Sequence, residues 1–207
     1  MQIGEPVLRG KAAPLSRQEI RSKPVQQLIE WMRETMRDAP GVGLAAPQVG
    51  LALQIAVIED RPEAMKDLPP EFLAERERKP VPFHVVINPK IRLRGAVLTF
   101  FEGCLSMPGF SALVPRSRIA RVDFLNHRGD AVSLQAAGWH ARILQHEIDH
   151  LNGFVYVDRM HPRSLTTMDN LTRYWKNRPV AEVVHDLNLD LASAVGQSAS
   201  PAPRHKR

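Results

Sequence analysis

The sequence contains a single cysteine in 207 residues, only 6% aromatic residues, and no long uninterrupted apolar run. A lone Cys104 cannot close an intramolecular disulfide, which agrees with a reducing compartment and leaves one thiol to be accounted for. The charge-free stretch from Gly41 to Ile58 is broken by Gly41, Gly43, Pro47, Gln48, Gly50 and Gln54, which makes a transmembrane helix a poor reading. The first twenty residues carry Glu5, Arg9, Lys11, Arg17 and Glu19 without an apolar block, so no secretory signal is expected. Core-like sequence begins almost at Met1, so a transit peptide is not expected either, and the expected setting is the cytoplasm.

What is present suits a water-soluble enzyme: 43% hydrophobic and 24% charged residues, in a length that fits one core. The formal charge is +6, part of it in Arg204-His205-Lys206-Arg207. That end follows Gln197-Ser198-Ala199-Ser200-Pro201-Ala202-Pro203, which reads as disordered. A solvated tail accounts for the excess charge more simply than an RNA contact does.

Periodicity places a first helix from about Ser22 to Arg37, with Ser22 as cap and Pro24 in the first turn. Leu51 to Ile58 reads as a buried strand, and Glu59 to Pro82 as a proline-rich loop with a helical piece near Glu71 to Arg78. Strand character recurs at Phe83–Asn88, Ile91–Phe101, Ile119–Asn126, Ala131–Gln135 and Phe154–Val157. A second helix is predicted from Gly138 to Leu151. The expected fold class is α+β, with strands packed around this late, buried helix.

That helix carries His146-Glu147-Ile148-Asp149-His150. Histidines four positions apart on a helix share a face and can bind one ion, while Glu147 can reach a water beside it. An exposed helix decorated with charges is the plainer reading, but Trp139, Ile143, Leu144, Ile148 and Leu151 surround the motif with apolar residues. A hydrolytic site needs a third protein ligand and one open position. The extended form HExxHxxGxxH fails here, because Gly153 is in place but Tyr156 stands where the third histidine belongs. Asp158 or Asp169 could supply a downstream carboxylate, as in a zinc endopeptidase. Cys104, in the turn Glu102-Gly103-Cys104-Leu105-Ser106, is the upstream candidate. Composition leaves three readings of Cys104 open: ligand, buried structural thiol, or nucleophile. Glu102 is expected to pair with a base such as Arg116. In the small-residue loop Gly41–Gly50, Gln48 could direct its amide N–H groups at an oxyanion, though a packing role is the better bet for the loop in isolation.

GVGLAAPQVG, EGCLS and QHEIDHLNG, in this order and at these separations, resemble the three signature motifs of the peptide deformylases. The resemblance runs from about Ile3 to Arg163 and is nearest the subgroup that includes organellar members, with a bacterial, cytoplasmic protein favoured. It implies that residues 1–165 form the catalytic domain and 166–207 a C-terminal extension. It also implies an activity, removal of the formyl group from N-formylmethionine at the start of new polypeptides. Cys104, His146 and His150 match the metal ligands of the family, Glu147 its acid/base, and Gln48 with the Leu105 N–H its oxyanion donors. Val42, Gly43 and Gly103 match the backbone that pairs with substrate, and Phe100, Trp139, Ile143 and the stem of Arg142 the methionine pocket. The implied cofactor is one divalent ion, iron(II) in the cell, with zinc, nickel or cobalt also suited to such ligands. The implied partners are formylmethionyl nascent peptides, with a transient ribosome contact and neither DNA nor membrane; monomer and homodimer both remain open. The departures from the common bacterial pattern fall at Gly109-Phe110-Ser111, Trp139, Arg142 and the C-terminal tail. A ribosome-binding homologue without activity is the rival of another class, and the intact ligands and Glu147 argue against it.

Overall fold

A computed structural model of the chain describes residues 1–39, 41–176 and 178–189. The disordered basic end read from the sequence lies outside the described residues. Near the N-terminus a short helix α1 (Arg17–Ile20) is closed by a reciprocal cap: the Glu19 N–H donates to Ser16 Oγ, and the Ser16 N–H donates to the Glu19 carboxylate. The longer helix α2 (Lys23–Asp38) follows and turns Ile29, Met32 and Met36 inward at helical spacing. Ser22 stands at its N-cap position, but its hydroxyl donates back to the Glu19 carbonyl instead of capping α2.

One antiparallel sheet organises the molecule in the order β1 (Gly43–Ala45), β2 (Ile55–Asp60), β3 (Val81–Cys104), β4 (Met107–Leu125) and β5 (Ala131–Ala137). The run Ile55–Ile58 is fully buried, as a strand covered on both faces must be. The expected strand from Leu51 starts four residues later, because Leu51 and Ala52 are exposed before the pairing begins. The two strands expected at Phe83–Asn88 and Ile91–Phe101 are one. Asn88 adopts φ 52°, a left-handed conformation that asparagine tolerates, and the register shifts there without a break in the strand. Between β2 and β3 lies helix α3 (Pro70–Glu75), overlapping the predicted helical piece near Glu71 to Arg78 but starting one residue earlier and ending at Glu75.

Helix α4 (Gly138–Leu151) packs across the sheet, contributing Ala141, Ile143, Leu144, Ile148 and Leu151 to a core shared with Ala45, Ile58, Val86 and Val122. Gln145 fixes its height, exchanging hydrogen bonds of 3.0 and 2.8 Å with the Ser117 backbone. After α4 the chain makes a 3-10 turn at Tyr156–Asp158, where a strand was expected from Phe154 to Val157. It then adds β6 (Thr166–Thr167) to the beginning of β4 and continues into α5 (Met168–Asn170), a π-turn at Leu171–Trp175 and α6 (Val180–Asp186). Val180 and Val183 close over Phe100 and Leu113. Among the described residues no helix is long and apolar enough to cross a membrane.

Candidate metal centre and cleft

Strand β3 ends at Cys104 and turns back through Leu105 and Ser106 into β4, which delivers the thiol to the buried face of α4. The ligand atoms of Cys104, His146 and His150 lie within 4.8 Å of one another, and Cys104 Sγ is 3.2 Å from His150 Nε2. Among the described residues this is the one such cluster of three donors. Asp158 is engaged elsewhere, accepting from Arg9 and from the Val155 N–H, and Asp169 is outside the cluster. Tyr156, at the position of the missing third histidine, stacks near the His146 ring at 6.4 Å and donates to Met107 Sδ.

His146 is oriented by Glu102, whose carboxylate lies 3.0 Å from Nδ1, leaving the other ring nitrogen for the cluster. Glu102 is fully buried, and burial alone would raise its pKa. Arg116, the His146 ring and Arg142 together hold it well below the usual carboxylate range instead. Arg116 makes a fork of two 3.0 Å bonds to Glu102 and also donates to Asp149 of α4, which in turn holds Arg159. The pairing of Glu102 with Arg116 expected from sequence is therefore present, inside a larger network of buried charge.

Glu147 points into the same space, buried, with Oε2 lacking any partner. Desolvation raises its pKa to about 7, against the lowering influence of His146. Its other oxygen rests on Gly43: a Cβ built there would sit 2.3 Å from Oε1. Gln48 is held by an Ala45 N–H bond to its Oε1 at 2.8 Å, and its Nε2 donates to Ser106 Oγ at 3.2 Å and reaches Cys104 Sγ at 3.5 Å. The backbone-bonded reading of Gln48 is seen at its Oε1, while its Nε2 faces the Cys104–Ser106 turn.

These groups open into a cleft of about 520 Å³ lined by Val42, Gly43, Gly103, Leu105, Trp139, Arg142 and Ile143. Phe100 is not among its walls. Phe100 is instead buried with Leu113, Val180 and Val183, its ring 5.1 Å from the Arg142 guanidinium, while the adjacent Phe101 packs on the same cluster and also lines the cleft. Arg142 lines the cleft with a buried side chain whose guanidinium is spent on Glu102, Val114 O and Leu98 O. A larger concavity of about 770 Å³ lies across α4, bounded by Leu93, Val97, Arg159 and His161, but the thiol and imidazole donors do not reach it. Sequence reasoning passed over Phe101, Phe110 and Met168 as cleft walls, and Asp149 and Arg142 as partners in the charge network. An arginine on the inward face of a helix is the one signal that could have exposed the network.

The donor set fits a divalent ion: a soft thiolate and two imidazoles converge, and the unpartnered carboxylate oxygen of Glu147 lies beside them. The family model described as polypeptide deformylase matches residues 1–165. Peptide deformylase 1A, chloroplastic, of Solanum lycopersicum is 45% identical over 172 residues, covering 83% of this chain and 62% of its own. The chain thus spans less than two thirds of that relative's length. Peptide deformylase 3 of Streptomyces avermitilis is 45% identical over 180 residues, covering 86% of this chain and 78% of its own. The solved class I type b peptide deformylase of Acinetobacter baumannii with Met-Ala-Ser bound superposes with TM-score 0.68 at 33% identity, covering 77% of this chain and 95% of its own.

Proposed function

The chain belongs to the peptide deformylase family, and from that premise we propose that it hydrolyses the N-formyl group of formylmethionine on newly made polypeptides, releasing formate. The observation that carries this reading is Glu147: a buried carboxylate with a free oxygen, wedged between a glycine strand and a thiol–imidazole cluster. Cys104, His146 and His150 would hold the ion, iron(II) by preference, while zinc, nickel and cobalt suit the same donors. When bound, the ion supplies Lewis acidity, bringing the pKa of a water to roughly 7 and polarising a carbonyl.

The chain's own groups do the rest. Glu147 takes a proton from the attacking water and returns it to the nitrogen of the departing amine. Gln48 Nε2 and the Leu105 N–H donate to the formyl oxygen as it gains charge, each contribution being about 2.7–4 kcal/mol in comparable sites. The Ala45 bond to Gln48 Oε1 keeps the donor end of that amide aimed. Because β1 is the edge of the sheet, Val42 and Gly43 can take the substrate backbone as an added strand, with Gly103 allowing close approach opposite. Trp139, Ile143 and the stem of Arg142 receive the methionine side chain. A formyl carbon bears only hydrogen, so the narrow gap beside Gly43 favours it over larger acyl groups.

On the same reading residues 1–165 are the catalytic domain and 166–207 its extension, acting on nascent peptides in a bacterial cytoplasm with a transient ribosome contact, as monomer or homodimer. The Acinetobacter relative holds a tripeptide beginning with methionine, which is the kind of segment proposed for this cleft. The test is anaerobic purification with metal analysis, followed by formate release from a formyl-methionyl tripeptide. The parent protein is expected to turn over, and Glu147→Gln to keep its metal while losing at least about 100-fold in kcat. Full activity in that variant would remove the acid/base role.

A further inference from the structure

The matched family region ends at residue 165, and the chain immediately beyond it returns to the cleft. Thr166 and Thr167 pair with Ser111 and Phe110, so β6 is laid along the same Gly109-Phe110-Ser111 segment that departs from the common pattern. Thr167 then caps α5, its Oγ1 accepting from the Asn170 N–H at 3.3 Å, which fixes the position of Met168 at the first helical residue. Met168 lines the cleft beside Phe110, although it lies outside the matched region.

Both side chains are unusually open. Phe110 is 40% exposed and Met168 45%, and of the exposed large apolar residues among those described, only these two line this cleft. The far wall is different in kind, because Ile143 and Arg142 are each 4% exposed. The cleft therefore has a deep closed end and a shallow apolar rim contributed by two separate segments. A peptide bound as an added strand directs its side chains alternately, so the residue two beyond the methionine returns to the methionine's face of the cleft.

We propose that Phe110 and Met168 form a second, apolar subsite that takes the side chain of the third residue of the formylated peptide, making the C-terminal extension a determinant of substrate preference. This rests on the deformylase reading above. Two half-exposed apolar side chains left in water gain by covering a leucine or phenylalanine, whereas a serine at that position offers them nothing to cover. Because the rim is open, the discrimination is smaller than in a closed pocket, on the order of fivefold in kcat/KM. It acts through KM, since the contact is the same in the ground and transition states.

The experiment compares formate release from formyl-Met-Ala-Leu, formyl-Met-Ala-Ser and formyl-Met-Leu-Ser by the metal-loaded protein. The parent is expected to favour leucine over serine at the third position and to gain no comparable amount from leucine at the second. Met168→Ser and Phe110→Ser should bring the third-position ratio toward one, while Met168→Leu keeps it. A parent without third-position preference overturns the proposal. So does a preference confined to the second position, or one that survives Met168→Ser in a folded, metal-loaded protein. Absence of turnover on all three peptides would instead overturn the deformylase reading itself.

Discussion

Replacing Gly43 by alanine adds one methyl group at the point where β1 meets the motif helix, and the structure fixes what that methyl would strike. The new carbon would stand 2.3 Å from Glu147 Oε1 and 2.6 Å from its carboxyl carbon. Ordinary carbon–oxygen contact begins about 1 Å further out, so either the carboxylate or the strand must give by about that distance. Gly43 does not have a positive φ, so alanine meets no backbone penalty and the whole effect is this collision. Glu147 is the softer partner, being the end of a side chain. Overpacking of this size costs about 1–3 kcal/mol of stability, which a folded protein tolerates. Activity should suffer far more, because a displacement of about 1 Å in a reacting group costs on the order of 100-fold. Gly43→Ala is thus expected to bind its ion normally, melt a few degrees lower and lose about two orders of magnitude in kcat/KM for a formyl-methionyl peptide. Metal analysis, thermal melting and formate release on one preparation separate these three effects. Undiminished turnover would mean that the carboxylate position is irrelevant, and the role assigned to Glu147 would go with it.

Cys104→Ser exchanges a soft ligand for a weak one and should lose most of its bound metal on dialysis, whereas a zinc endopeptidase site using a downstream carboxylate would retain it. Arg116→Met takes one of two arginine partners from each of the buried carboxylates of Glu102 and Asp149, leaving Arg142 and Arg159, so unfolding free energy should fall by about 3 kcal/mol, the low end for a broken buried pair. Arg118→Met, which breaks an exposed pair with Glu77, should cost less than about 1 kcal/mol, and equal losses in the two variants would contradict the buried network. Burial and the nearby His84 hold the His140 pKa down to about 4 against an ordinary 6.5. The folded protein resists a proton that the unfolded chain accepts, so this contribution to stability is intact above about pH 6.5 and drains away as the pH falls toward about 4. Urea unfolding across that window should show a shallower pH slope in His140→Leu, and an unchanged slope would exclude the linkage.

Much of the site was legible because its chemistry is written in residue types. The span of α4 could be read from its apolar spacing and Gly138, and two candidate donors from the pair His146/His150, while residue types left Cys104 open and only the family resemblance singled it out as a ligand. Contacts between residues distant in sequence were not legible. Nothing local ties Gly43 to Glu147, and nothing in the run Phe100-Phe101 says which ring lines the cleft. The break read near Asn88 failed for a different reason: an asparagine can hold a left-handed kink inside a continuing strand, and its side chain is bound to the Leu15 backbone on both sides. Tyr156 was read as part of a strand and as the place of a missing ligand, while the structure uses its ring to pack beside His146. Met168 left no sequence signal, because its place depends on two residues of pairing with Phe110 and Ser111.

Cys104 and His150 are 46 positions apart, with all of β4 and β5 between them. In short-looped zinc modules the ion gathers its ligands from a nearly unfolded chain and thereby drives folding. Here β3, which holds the thiol, carries neither of the two clustered imidazoles, so the three donors meet only when β4 and β5 have brought α4 beside the turn. We therefore expect the hairpin and helix to come first, with the ion entering a frame already built. A chain made without metal should fold to an empty but competent vessel, and the ion supplied later would decide only whether it works.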